Sequence, residues 1–241
     1  MKKVLIFGFI FCLLIAATAC GDAQQDPTQV VPATDEVSAL LPGADIFYGL
    51  IVADMGDTLL VTENKTNGKT AGLYTLPEKY MDETQDKSKL VPGTYITLHY
   101  NGTVIETYPA RFELTESFTC DETKEDLVTP ILRFVLANVP DSAQWLALDL
   151  TGIADLSDGE REAVCYLAEN KLADKCGIVR YDPQQFTAEE LLTAENSPEN
   201  GAVLAVDGQL ENGKLTGTWR LTDTQQVTEG EWETAIVYYL N

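Results

Sequence analysis

Thr94-Tyr95-Ile96-Thr97-Leu98-His99-Tyr100-Asn101-Gly102-Thr103-Val104-Ile105-Glu106-Thr107-Tyr108-Pro109-Ala110 is the stretch on which the fold reading turns. β-Forming residues run to Tyr100, and Asn101-Gly102 supplies two positions that tolerate positive φ. Together they predict a type I′ hairpin leading into a strand over Thr103–Tyr108. After Pro109 the chain extends again, from Ala110 to Phe118. Upstream, Asp45–Ala53 (DIFYGLIVA) and Thr58–Glu63 (TLLVTE) read as strands about the turn Asp54-Met55-Gly56-Asp57. Ala71–Leu76 supplies a third strand, and the polar run Pro77–Leu90 predicts a connection with a short helix near Glu78–Glu83. Five strands with such a connection between the third and fourth follow the order of an OB-like barrel.

The run Asn101-Gly102-Thr103-Val104-Ile105-Glu106-Thr107-Tyr108-Pro109-Ala110 resembles a motif of small uncharacterised OB-fold domains in Gram-positive secreted and lipid-anchored proteins. In those a similar turn precedes a Glu-Ser/Thr-Tyr-Pro-Ala run. Asn101 stands where aspartate is common and Arg111 where glutamine is common. The resemblance covers residues 45–118 and implies a fold, not a reaction, since OB folds host many functions.

Beyond an acidic joint at Cys120–Asp126 the pattern changes. Thr129-Pro130 opens a helix, the threonine as cap and the proline in the first turn. Trp145–Thr151 alternates as a strand. Ser157-Asp158-Gly159-Glu160 is a capping box for a helix to about Leu172, and Thr187–Glu190 repeats it for a helix to Ala194. Ile178–Tyr181 is a short strand. Ala202–Leu210, Lys214–Thr222 and Trp232–Leu240 predict a half-exposed antiparallel sheet. The predicted fold class is therefore two domains, an all-β OB-like barrel over residues 43–119 and an α+β domain with an antiparallel sheet over residues 120–241.

Ahead of both lies a segment that sets the address. Lys2 and Lys3 precede the apolar run Val4–Ile15, which is shorter than the roughly 20 residues of a membrane span. Ala17-Thr18-Ala19-Cys20 then resembles a bacterial lipobox, with Ala17 where leucine is usual. The resemblance implies a signal peptide over residues 1–19, acylation (palmitate among the chains) of Cys20, and a flexible acidic tether over residues 20–42. The implied location is the outer face of the cytoplasmic membrane. Ala17-Thr18-Ala19 also meets the rule for ordinary secretory cleavage, so secretion without a lipid is the alternative.

The chain holds 38 acidic and 16 basic residues, a formal charge of −22. Such acidity repels phosphate backbones and excludes nucleic acid as a natural partner. Of five cysteines, Cys12 leaves with the signal and Cys20 is the lipid site. Cys120, Cys165 and Cys176 remain, and an oxidising compartment permits one bridge, with Cys165–Cys176 favoured and buried free thiols as the alternative.

Candidate sites are few. Glu106, Tyr108 and Arg111 gather near one predicted hairpin and define a candidate ligand groove, against the plainer reading that Tyr108-Pro109 packs and ends a strand. His99 shares a strand face with Tyr95 and Thr97 and reads as a rim residue. Asp155, Asp158 and Glu160 lack the alternating spacing of a calcium loop, and the capping box accounts for them. No phosphate loop, nucleophile elbow or zinc-binding spacing occurs, so no metal or cofactor is expected. Trp219 and Trp232 fit core packing better than a sugar platform. The expected function is a non-enzymatic, lipid-anchored binding or accessory protein. Its partners would be the membrane, through the anchor, and an envelope protein, peptide or glycan. The alternatives are an envelope hydrolase whose carboxylates converge in the fold, and a sensory or inhibitory partner of a membrane protein.

Overall fold

The computed structural model describes residues 45–63, 72–194 and 199–236. The signal, the tether and Cys20 lie outside them. Residues 40–241 form one compact unit, and its described part is mostly β, with two mixed sheets and few helices.

The first sheet contains β1 (Asp45–Asp54), β2 (Thr58–Glu63), β3 (Leu73–Pro77), β4 (Thr94–Tyr100), β5 (Val104–Ile105), β6 (Ala110–Phe112) and β7 (Thr115–Thr123). Its order is β5-β6-β3-β2-β1-β4-β7, antiparallel except between β3 and β6. The sheet is open: β5 and β7 are its edges, so the expected barrel is not closed by its ladders. The run that would close it is interrupted at Glu113-Leu114, with β6 beside β3 and β7 beside β4.

Asn101-Gly102 does not make the expected hairpin. β4 pairs with β1 and β7, while β5 pairs with β6. Of the two turn residues only Gly102 has positive φ, at 80°. The Asn101 side chain instead accepts from Thr103 N at 3.1 Å and donates to Glu113 at 2.9 Å, turning a corner. The predicted helix near Glu78–Glu83 shrinks to a single 3-10 turn at Glu78–Tyr80.

β1 is buried on both faces, which is why it reads as a continuous apolar run rather than an alternating one. Phe47 and Ile51 join Leu59, Leu76, Ile96, Leu98 and Phe118 in a core on one side. Leu50 and Val52, with Leu60 and Leu73, face the other way into a second core. That core belongs equally to the rest of the chain. α1 (Val128–Ala137) brings Ile131 and Val135 to it, and α2 (Asp158–Leu172) brings Ala163, Val164 and Ala168. The change near residue 119 is thus a change of sheet over a shared apolar layer. The N-cap of α1 is Leu127 and Thr129 lies inside the helix; Asp126, one residue before the cap, accepts through Oδ1 from Thr129 N at 3.0 Å.

The second sheet runs β12-β11-β10-β8-β9, from β8 (Trp145–Asp149), β9 (Gly177–Val179), β10 (Gly201–Glu211), β11 (Lys214–Asp223) and β12 (Val227–Ala235). The expected antiparallel sheet is mixed. β10-β11-β12 is antiparallel, but β8 is parallel to both β9 and β10. The cause is α2, which carries the chain from the end of β8 back to the start of β9, as parallel pairing requires. The residue alternation of β8 fits its place: Leu146 and Leu148 face α1 and α2, while Trp145 and Ala147 face α3 (Ala188–Thr193). Trp232, 7% exposed, packs on Phe134 with ring centroids 4.9 Å apart, a core residue as expected. A two-residue type I′ turn does occur, at Asn212 (φ 51°) and Gly213 (φ 74°) between β10 and β11.

Candidate functional site

From β8 the chain passes through α2 to β9 on one side, then through α3 to β10 on the other. Reversals of this kind leave a crevice beyond the carboxyl ends of the strands. A cleft of about 520 Å³ lies there, with Leu148, Leu150 and Cys165 among its apolar lining and Asp149, Glu162 and Arg180 among its charged lining. The first turns of α2 supply one wall, and the residues after β9 supply another.

The capping box fixes that wall. Glu160 N donates to Ser157 Oγ at 3.3 Å, and Ser157 N donates to Glu160 Oε2 at 3.0 Å. Glu160 is 1% exposed and its other oxygen meets Lys124 Nζ at 2.7 Å. Gly159 lies against Thr62 of β2 so closely that a Cβ there would stand 1.8 Å from Thr62 Oγ1. The start of α2 is therefore seated directly on the first sheet.

Both arginines of the cleft are engaged by the protein. Arg161 donates to the carbonyls of Leu150 and Ile153 at 3.1 and 3.2 Å and to Asp158 at 2.6 Å. Arg180 donates to Glu169 at 2.8 Å, to Glu162 at 3.2 Å and to the Tyr108 hydroxyl at 2.9 Å. Tyr108 comes from the loop between β5 and β6, and its hydroxyl donates to Glu162 Oε1. Its ring stands edge-on to Tyr166 at 5.5 Å and under the Arg180 guanidinium at 5.6 Å. Burial, then the hydrogen bond to Glu162, pushes the phenol up from its ordinary value. For Arg180, burial pulls down, but the bonds to Glu169 and Tyr108 outweigh it and the guanidinium is held above its usual range.

The residues expected to form a groove are thus divided. Tyr108 bonds Glu162 and Arg180, two residues that line the cleft. Glu106 is exposed and makes no hydrogen bond or ion pair among the described residues, and Arg111 is an exposed strand residue between Thr75 and Ile105. His99 sits in β4 opposite Ile46 and Ser117.

The expected Cys165–Cys176 bridge is not formed, and Cys120, Cys165 and Cys176 are free thiols. Cys165 lies two helical turns back from the end of α2, roughly 10 Å along its axis, whereas Cys176 follows that end; bridged Cα atoms need to lie within about 7 Å. Burial, then the nearby Glu162, pushes the Cys165 thiol up to about 12. A thiol held protonated is a poor nucleophile.

Asp155 and Asp158 have structural partners as well, Asp155 accepting from Leu210 N at 3.0 Å. No group of three or more metal-ligating side chains occurs among the described residues. Sequence reasoning missed Arg180, Glu162 and Asp149, because nothing local marks the ends of β8 and β9 as neighbours. Compared with known protein families, with curated proteins and with solved structures, the chain finds no match in any of the three.

Proposed function

We propose that this chain is an extracytoplasmic binding protein, held at the membrane by lipid on Cys20, that takes its ligand in the cleft at the carboxyl ends of β8 and β9. The observation that carries the binding role is the state of the cleft's reactive groups. Its two arginines are held by protein acceptors, and its thiol is kept protonated. Such walls hold a ligand in place; catalysis by carboxylates of the same lining, Asp149 and Glu162, is the rival reading, which turnover of an envelope substrate by the purified chain would establish. The placement agrees with the preference of small-molecule sites for strand-end crevices.

The anchor is supported by Lys2-Lys3, the short apolar run and the small residues before Cys20. Several acyl chains would give stable attachment where one is marginal. We also assign the first sheet to an OB-like barrel over residues 43–119, followed by an α+β portion over residues 120–241. Support comes from β1 pairing antiparallel with both β2 and β4, from β3 lying parallel to β6, and from the two-residue gap between β6 and β7.

Fractionation of cells with mass analysis of the mature N-terminus tests the address. An acylated Cys20 in the membrane fraction is the expected result. A soluble cytosolic chain with residues 1–19 attached would overturn it.

A further inference from the structure

We infer that the free edge of β12 takes an extended segment of a partner protein, with lysine or arginine at every second position, as an added strand of the second sheet. The two open sheets have four edges, and three of them are blunted. β5 and β9 are only two and three residues long. β7 has nine residues, but its middle is taken: Asp82 N donates to Phe118 O at 3.0 Å, and Met81 bridges to the same residue. β12 is as long as β7 and has none of these devices. Its nine residues pair with β11 in unbroken register, with no proline and no bulge. No described strand or bridge lies along its other side. A long, regular, open edge is what folded proteins ordinarily avoid, because it is a template for another strand.

The parity of the ladder shows which groups that edge offers. Asp223 N donates to Gln226 O at 3.0 Å, and Ile236 N to Gly213 O at 3.2 Å, so the β11–β12 ladder ends on hydrogen-bonded pairs. Counting in from either end, Thr228, Gly230, Trp232 and Thr234 turn their N–H and C=O toward β11. Val227, Glu229, Glu231, Glu233 and Ala235 turn theirs outward, and all five are exposed. Their side chains share one face, so an added strand meets a glutamate at every second position. The cations of that face in β11, Arg220 and Lys214, are spent on Glu229 and Glu233. Glu231 has no hydrogen bond or ion pair among the described residues. A shallow depression of about 420 Å³, lined by Thr216, Thr218, Glu231 and Glu233, adjoins the edge and has room for a long side chain. A second copy of this chain is the wrong occupant: β12 against β12 sets glutamate opposite glutamate, and like charges opposite one another destabilise a ladder. In strand addition the backbone supplies affinity and alternate side chains supply specificity. Here the specificity is for positive charge.

The test is titration of the ¹⁵N-labelled full chain with the peptide acetyl-Thr-Lys-Val-Lys-Thr-Lys-Val-Lys-Thr-amide, read by amide shifts and amide hydrogen exchange. One control replaces every lysine by glutamate. The other keeps the lysines but methylates their backbone nitrogens, which preserves the charge and removes the donors that would face β12. In the free chain the amides of Glu229, Glu231 and Glu233 should exchange at least ten-fold faster than those of Gly230 and Trp232. The lysine peptide should slow those three amides, shift residues 227–235, and bind at least ten-fold more tightly than either control. Its binding should fall at least three-fold in E231K and weaken with added salt. Equal binding of the methylated peptide would reduce the interaction to charge and overturn strand addition. Equal binding of the glutamate peptide would overturn the basic partner, and no protection by any peptide would overturn both. Slow exchange of the three glutamate amides in the free chain would also overturn the proposal. If that protection grows with protein concentration, a second copy is the occupant; if not, the chain covers its own edge.

Discussion

Tyr108 and Arg180, 72 residues apart in sequence, meet at 2.9 Å, the Arg180 Nη2 donating to the Tyr108 hydroxyl while that hydroxyl donates to Glu162. A loop of the first sheet is thereby tied to α2 and to the end of β9 in the second. Removing the hydroxyl alone should loosen this tie without disturbing the ring contacts. Hydrogen bonds to charged groups contribute about 1.5–3 kcal/mol, but Tyr108 is 55% exposed and solvent screens the pair. Y108F should therefore cost about 1 kcal/mol, a fall in Tm of about 2–4 °C by calorimetry. Y108A should cost more, because the Tyr166 and Arg180 contacts go as well.

Gly159 offers a prediction whose sign runs against helix propensity. Alanine is favoured over glycine inside a helix by about 1 kcal/mol. Here the added Cβ would strike Thr62 Oγ1 at 1.8 Å and Thr62 Cβ at 2.8 Å, so α2 must shift off β2. G159A should destabilise by about 1–3 kcal/mol, as overpacking does, in urea unfolding. An unchanged or raised midpoint would mean that α2 is not seated on the first sheet.

Thiol chemistry tests the interior around the cleft. Burial raises Cys120 to about 11 and Cys165 to about 12, and raises Cys176 as well. At neutral pH these thiols should label slowly with a maleimide in the native chain and rapidly in guanidinium, with the sites located by peptide mapping. Fast native labelling of Cys165 would contradict its protonated, shielded state.

The same raised values set the response to alkali. Cys120 and Cys165 rise from 9.0, and burial and Glu63 raise Tyr74 from 10.0 to about 12. These groups bind more protons when folded, so their contribution is fully present below pH 9. As pH rises above 9 the unfolded thiols ionise first, the phenols follow near 10, and stability falls toward the folded values. Urea midpoints at pH 8, 9.5 and 11 should decline in that order. A midpoint unchanged to pH 11 would contradict the raised values.

How much of this was legible in the sequence depended on how local the signal was. The two capping boxes, Ser157–Glu160 and Thr187–Glu190, formed as read, because each is closed within four residues. The alternation of β8 gave its two faces for the same reason. Asn101-Gly102 misled: the same dipeptide makes a hairpin at Asn212-Gly213, where the flanking strands pair with each other, and a corner at Asn101, where β4 is already held by β1 and β7. Only β-strand partners distant in sequence distinguish the two. The parallel β8–β9 pairing was hidden because β9 is only three residues long. Tyr108 was visible as a candidate, but its partners Glu162 and Arg180 were not, since they are set by how α2 crosses from β8 to β9.

The central claim is that ligands are held at the carboxyl ends of β8 and β9. Its most direct test is a screen of the ¹⁵N-labelled full chain against several hundred chemically varied fragments, with hits mapped by amide shifts. Hits should concentrate on residues 148–151, 161–165 and 180–184. Hits gathered instead around Ser142, Asn200 and Asp223, at the smaller cleft of about 220 Å³, would contradict it, as would shifts scattered over the surface with no common site.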